Sequence, residues 1–386
     1  KSENSILKNI KIKSTAGANS GMILTSSNNN IITNITFSET TTDMHALDIQ
    51  DSNNNQIKNS VFEGVNSGIL FRGTSKSNVL DSSKIVNFRY EGIKFYNLNS
   101  GGNNIINSVI TSGETGSVGL NNENSNGNII SNSDVKVTAK NILIAGNGNI
   151  TLINSSFDAG RLDSAGANKV LVYENAAITI VNSTGSTMNG IKINIKRNNI
   201  TEQTFVTDAT GRIQLQVMSK IISSGQLEFL GYDVELSKAG IITTSSVNFN
   251  SSEKTITFDI KYPRISKFAS PSTTNIESLE DLKNVSSFTL NNFKTEVAWE
   301  NKVNVYNQDI DSAAELSDKV VSINVSALDS TFNSSAVIQF TNITCPAEPL
   351  YSEGFSTNRE EILKSVITCN GTTDPACTFI TCDNEK

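Results

Sequence analysis

From residue 27 the chain reads SNNNIITNITF, three asparagines followed by polar and apolar residues in alternation. A period of two over a few positions predicts a short half-buried strand, and the asparagine run predicts the turn before it, because the Asn side chain competes for nearby backbone groups. The same cadence returns at residue 52 as SNNNQIKNSVF, then as SKSNVLDSSKI, SGGNNIINSVI, NSNGNIISNSDV and GNGNITLINSSF. Registered on the inner asparagine, the series runs Asn9, Asn34, Asn59, Ser82, Asn107, Asn132 and Asn154. Its steps of about 22 to 25 residues belong to a solenoid. Upstream of the clusters a second apolar segment recurs: GMIL at Gly21, ALDI at Ala46, GILF at Gly68, GIKF at Gly92, VGL at Val118, NILI at Asn141 and KVLV at Lys169.

Two or three short strands per repeat, with no stretch long enough for a crossover helix, predict a parallel β-helix. Leucine-rich repeats share the period, but their Leu ladder is absent. Successive coils of a β-helix stack about 4.8 Å apart, so equivalent side chains face one another. We therefore expect Asn9, Asn34, Asn59, Asn107, Asn132 and Asn154 to pass amide hydrogen bonds up a ladder inside the turn. Over about residues 5–175 the pattern GI-x-L-x-x-S-x-N-N-x-I-x-N-S-x-F resembles the right-handed β-helix repeats of pectate-lyase-like and periplasmic copper-processing-like surface proteins. That resemblance implies an all-β chain opening with about seven right-handed coils over 1–175, and it speaks weakly to activity.

After Val172 the period is lost and longer alternating strands take over. AAITIVNSTGSTMNGIKINIKRNN and TFVTDATGRIQLQV place strands around turns, the second turn at 207–211 with Asp208 bonding its own backbone and Gly211 tolerating positive φ. NSTGSTMNG and TDATGR resemble the two turn motifs of carboxypeptidase-regulatory-like or transthyretin-like (Ig-like) β-sandwiches, which implies a spacer module over 176–262. PRISKFASPSTTN then reads as a polar linker. A β-rich C-terminal module with disulfides is expected over 263–386, with helical candidates at IESLEDLKNV and at NREEILKSV, where Asn358 would be the N-cap. The stretch INVSALDSTFNSSAVIQFTNITC resembles a module that follows β-helices in archaeal cell-surface proteins.

The chain has 386 residues, enough for two or three domains. A formal charge of -7 and a pI near 5.0 argue against nucleic acid as a partner. Roughly a third of the residues are Asn, Ser or Thr, so the surface is wetted by neutral groups. No window of about 18 apolar residues occurs and no signal peptide is legible; the chain starts in mid-repeat, so the β-helix is expected to continue upstream. Cys345, Cys369, Cys377 and Cys382 cluster at the C-terminal end. One or two disulfides in an oxidising exterior are expected, with all three pairings open; a zinc site is the alternative, though no C-x-x-C pair occurs. Sequons are sparse in the repeat, at Asn34, Asn149 and Asn154. They are denser afterwards, at Asn182, Asn199, Asn250, Asn284, Asn324, Asn333, Asn342 and Asn370, which supports N-glycosylation of the later domains.

Chemistry-bearing motifs are few. His45 is the single histidine, and no G-x-S-x-G elbow, Gly-His-Gly or Arg-Ile-Lys motif is present. The acids of the repeat, Asp48, Asp51, Glu63, Asp81 and Glu91, do not return at one register. Arg72, Arg89, Lys94 and Asp134 are candidates to line a groove, and Phe71, Tyr90, Phe95 and Tyr96 to stack on sugars, although ordinary β-helix core and surface roles compete for each. Asp309, Asp311 and Glu315 in NQDIDSAAELSD could gather round calcium, yet the stretch lacks the Gly and terminal Glu of an EF-hand. Soft metal ligands are scarce in the repeat.

Catalytic residues, metals and cofactors are thus all expected to be absent. The expected function is that of a non-enzymatic, glycosylated, extracellular structural or adhesive protein, a self-assembling subunit of a cell-surface filament or surface layer of archaeal type. Its partners would be copies of itself and surface glycans or other surface proteins. The alternative is a polysaccharide-binding or polysaccharide-cleaving β-helix protein that uses a groove along the repeat.

Overall fold

A computed structural model describes residues 3–14, 20–39, 45–97, 99–164, 168–344, 347–352 and 354–372. The chain is all-β. Its N-terminal part is a parallel β-solenoid of about six turns. Each coil contributes one strand to each of three parallel sheets. In one coil, for example, Gln56–Lys58 lies in the first sheet, Val61–Glu63 in the second and Ser67–Arg72 in the third. Register is strict: Ile57 pairs with Leu80, Phe62 with Ile85, and Ile69 with Ile93. Inward-facing positions stack into one continuous core that includes Ile57, Leu80, Ile105 and Ile130 in the first sheet and Leu47, Ile69, Ile93, Leu120 and Ile142 in the third.

The asparagine run resolves into three separate tasks. Asn28 and Asn53 each use Oδ1 to accept a backbone N–H from the next coil, Asn53 at 2.8 Å and Lys76 at 2.7 Å. Asn29 and Asn54 hold left-handed corners at φ 57° and 59°, a conformation Asn tolerates better than other side chains. The third position is the buried one. Asn30, Asn55, Asn78 and Asn103 each donate Nδ2 to Oδ1 of the next asparagine, at 2.9, 3.0, 3.0 and 3.2 Å, the last to Asn128.

This corrects the expected ladder. Asn9, Asn34, Asn59, Asn107, Asn132 and Asn154 are all left-handed corners with φ of 45° to 57°, and Ser82 joins them at 51°. Asn9, Asn34, Asn59, Asn107 and Asn132 are exposed. They form isolated side-chain contacts, such as Asn34 Nδ2 to Asn9 Oδ1 at 3.0 Å, rather than a buried run. The residue after each corner builds a serine ladder instead. The N–H groups of Ile35, Ser60, Ser83, Ser108 and Ser133 donate to the hydroxyls of Ser60, Ser83, Ser108, Ser133 and Ser155, at 3.1 or 3.2 Å.

The expected boundary at residue 175 falls inside a single 13-residue strand, Lys169–Val181. One edge of its first half stacks in parallel on Ile150–Ile153, while the other edge pairs antiparallel with Arg212–Ser223 from Lys169 to Thr179, and Ala177–Val181 pairs in parallel with Glu253–Thr257. The KVLV segment accordingly belongs to the first sheet. The top rung of the third sheet is Leu162–Ser164.

The antiparallel sheets that follow fit a β-sandwich. Lys169–Val181, Arg212–Ser223, Gln226–Phe229 and Glu253–Thr257 face Ile200–Val206, Lys192–Arg197, Gly231–Lys238 and Ile241–Asn248. Between them lies a core with Ile178, Ile180, Ile193, Leu215, Tyr232, Val234 and Phe249. The turn at 207–211 is built as expected: Asp208 Oδ1 accepts from Thr210 N at 2.8 Å and Arg212 N at 3.0 Å, and Gly211 sits at φ 72°. It carries the chain from one sheet to the other.

The expected polar linker is a bound strap. Phe268 is buried, and the Ser266 and Lys267 amides both donate to the Asp311 carboxylate at 3.0 Å. The C-terminal core gathers around Trp299, Phe288 and Phe332, with Trp299 Nε1 donating to Phe332 O at 3.2 Å. IESLEDLKNV forms only the three-residue 3-10 turn Ile276–Ser278. The second candidate is helical over Arg359–Ile362, and Asn358 Oδ1 accepts the Glu360 amide at 2.9 Å as an N-cap does.

Candidate functional site

The outer face of the third sheet concentrates polar side chains. Along its strands the inward residues Leu47, Ile49, Ile69, Phe71, Ile93 and Phe95 alternate with outward Asp48, Arg72 and Lys94, and His45, Ser67 and Glu91 stand at the strand starts. Parallel register brings residues 24 or 30 positions apart into contact. Arg72 clasps Asp48 in a two-point ion pair, Nε to Oδ1 at 3.0 Å and Nη2 to Oδ2 at 2.6 Å, and Asp48 is 3% exposed. Glu91 Oε2 accepts from Ser67 Oγ at 2.9 Å, and Glu91 Oε1 accepts from Asn121 Nδ2 at 3.4 Å. Lys94 Nζ lies 3.6 Å from Glu91 and 3.2 Å from Glu123.

At the two ends of the Glu91–Tyr96 strand stand exposed rings. Tyr90 is 48% exposed and Tyr96 45%. The Arg89 guanidinium lies 5.8 Å from the Tyr90 centroid, and Lys94 Nζ lies 5.5 Å from that of Tyr96. Phe71 and Phe95, also candidates for sugar stacking, instead stack on each other in the core at 5.3 Å, both fully buried. Asp134 sits on the second sheet, paired with Lys136 at 2.8 Å, and takes no part in this face.

His45 lies on the same face. Burial pulls its pKa below 6.5, against the pull of Glu91 and Asp48 in the other direction. The imidazole is therefore neutral at neutral pH. Its Nδ1 is buried with no hydrogen-bond partner among the described residues, as are Asn66 Nδ2 and Asn121 Oδ1. Sequence reading named Arg72, Arg89, Lys94, Tyr90 and Tyr96 for a groove but missed Asn66 and Asn121, because Asn is too common in the repeat to stand out. It also read Asp48 and Glu91 as unrelated acids. The 24-residue spacing that separates them from Arg72 and Ser67, close to the repeat period, was the signal available.

The other candidates separate. Asp309 caps the Ile310–Ala313 helix and Asp311 is held by Ser266 and Lys267, while Glu315 reaches Lys267 Nζ at 3.5 Å. No group of three metal-ligating side chains occurs among the described residues. Cys369 is buried and disulfide-bonded; Cys345, Cys377 and Cys382 lie outside the described residues. Among the later sequons, Asn199, Asn250, Asn284, Asn333, Asn342 and Asn370 are exposed, and Asn182 and Asn324 are half-buried. In Asn182, Asn324 and Asn370 the hydroxyl two residues on donates to the carboxamide oxygen, at 2.7, 2.7 and 2.6 Å. No described helix is long and apolar enough to cross a membrane. No protein-family profile matches the chain, and no curated protein matches it.

Proposed function

We propose that this chain is a non-enzymatic structural or adhesive protein of a cell surface, archaeal in type, self-assembling into a filament or surface layer and glycosylated on its later domains. One observation carries the reading: the buried Asn30–Asn55–Asn78–Asn103–Asn128 ladder, which ties successive coils by side chains as well as backbone and makes the solenoid a stiff shaft. The sandwich then serves as a spacer of carboxypeptidase-regulatory-like kind, continuous with the shaft through the Lys169–Val181 strand.

One end of the first sheet turns into the sandwich, so the two ends of the shaft differ and contacts between copies are asymmetric, the kind that builds filaments or sheets. The carboxylates of the polar face are engaged by Arg72, Lys94, Ser67 and Asn121, which favours binding over turnover.

Electron microscopy of the purified chain and of native surface material tests this reading. Regular polymers whose repeat accommodates the chain are expected; dispersed single copies in both preparations overturn it.

A further inference from the structure

Ala336–Phe340 is the last strand of the three-stranded sheet in the C-terminal module, and no described residue pairs with its far side. The register runs from Thr295 opposite Phe340 to Trp299 opposite Ala336, with Thr341 N–H donating to Lys294 O at 2.9 Å and Glu300 N–H to Ser335 O at 3.1 Å. Val337 and Gln339 therefore turn their main-chain groups toward the sheet, and Ala336, Ile338 and Phe340 turn theirs away from it. The opposite edge of the same sheet is closed. There Thr274 N–H donates to Thr289 O at 3.0 Å, and the N–H groups of Thr289 and Asn291 donate to the hydroxyls of Thr274 and Thr273 at 2.8 and 3.0 Å.

Charges and bulges on an edge strand keep it from pairing with another chain. The sandwich edges have them: Ile200–Val206 holds Glu202 and pairs through a register shift, Gln226–Phe229 holds Glu228, and Glu253–Thr257 holds Glu253 and Lys254. The uncharged Ile241–Asn248 is polar along its middle, Thr243 to Ser246. AVIQF at 336–340 has no charge and no register shift. Val337 is 39% and Ile338 47% exposed, although Ile338 lies opposite the buried Val297 at the margin of the C-terminal core.

We propose that this edge pairs with the same edge of a second copy of the chain, antiparallel about a two-fold axis that sets Ile338 opposite its counterpart. Ala336 then faces Phe340, a small side chain against a large one, Val337 faces Gln339, and no like charges meet. The three outward residues of each strand exchange about six main-chain hydrogen bonds, and the two sheets become one. An acidic or basic peptide would find no counter-charge along this strand, which favours the second copy as its occupant. The sequons at Asn333 and Asn342 fall in the turns on either side, outside the five paired residues. A two-fold contact closes on itself, so it goes beyond the filament reading: it ties two chains side by side and cannot alone extend a polymer.

Sedimentation equilibrium of the full chain tests the pairing. So short a strand gives a small interface, and a mass rising from 41.6 kDa toward twice that value over roughly 1 to 100 µM is expected. Ile338→Lys sets two like charges against each other and should weaken association about tenfold or more. Ile338→Glu alone should do the same. An equimolar mixture of the two variants should pair again, because Lys then meets Glu, a rescue that misfolded chains would not give.

Three results overturn the proposal: a single-chain mass across the whole range, which leaves the edge to solvent or to residues 377–382 of the same chain; a dimer that both variants retain; or variants that keep the parent circular dichroism yet fail to pair on mixing. Micrographs of the same samples keep the two readings apart. Polymers from a chain whose dispersed fraction stays single remove only this pairing, whereas a dimer without polymers removes only the filament.

Discussion

Asn78 donates Nδ2 to Asn103 Oδ1 at 3.0 Å, and the same oxygen accepts the backbone N–H of Asn78 at 3.1 Å, so one carboxamide fixes both main chain and side chain of the coil below. Asn78 itself serves Asn55 in the same way and also donates to Ser52 O at 2.9 Å. Asn78→Ala leaves the Asn55 amide unsatisfied in a site with 0% exposure, at an expected cost of about 2 to 4 kcal/mol. Asn34→Ala removes an exposed corner at φ 55° and should cost about 1 kcal/mol. Urea unfolding of both variants decides the matter; equal losses would sink the distinction between ladder and corner.

That distinction marks what the sequence could and could not show. The coil period was legible because a corner residue with positive φ must recur once per turn. Which asparagine was buried was not, because Asn suits both a left-handed corner and an amide ladder. Substitution along the repeat carried the missing clue. The second position of the run becomes Ser77, Gly102 and Gly127, as a corner permits, and the inner position becomes Ser82, while the buried position stays Asn at 30, 55, 78, 103 and 128. The 175 boundary was illegible for another reason. One uninterrupted strand serves two architectures, parallel to the last coil along one edge and antiparallel to Arg212–Ser223 along the other, so neither composition nor pattern breaks at residue 175. On the polar face the cations and rings were visible in sequence, whereas Asn66 and Asn121 gain meaning only from burial.

Gly92 tests the closeness of coil stacking. A Cβ there would lie 2.6 Å from Gly119 O, 2.6 Å from Ile110 Cγ2 and 2.9 Å from Phe88 Cζ, none of which can swing away. Gly92→Ala should destabilise by about 1 to 3 kcal/mol, the usual cost of overpacking. Gly113→Ala, with nothing within 4 Å, should stay close to the parent in the same urea titration.

His45 gives the solenoid a pH dependence of defined sign. Burial lowers its folded pKa below 6.5, with Glu91 and Asp48 opposing and Lys94 and Arg72 assisting. The unfolded chain therefore binds a proton before the folded one does. Stability is fully present above about pH 6.5 and falls as the pH drops below it. In His45→Asn that part of the slope should vanish. Unfolding curves taken stepwise from pH 7.5 to pH 5 check this, and parallel slopes in the two proteins would rule out a buried neutral imidazole.

Tyr232 does the reverse in the sandwich. Its hydroxyl donates to Met218 O at 2.9 Å and its ring packs edge-on against Phe249 at 5.5 Å. Burial, aided by Glu202, pushes its pKa up to about 12. A group whose folded pKa is raised contributes stability below the unfolded value, near 10, and loses it as the pH climbs through the folded value. Tyr232→Phe should cost about 1 kcal/mol at neutral pH through the lost hydrogen bond. Between pH 10 and 12 the parent should decline more steeply than the variant, so that the two stability curves converge, since phenylalanine has no proton to lose. Comparison with the variant cancels the other tyrosines, including Tyr262, whose pKa burial also raises. A constant gap between the curves across that range would place the Tyr232 hydroxyl in water.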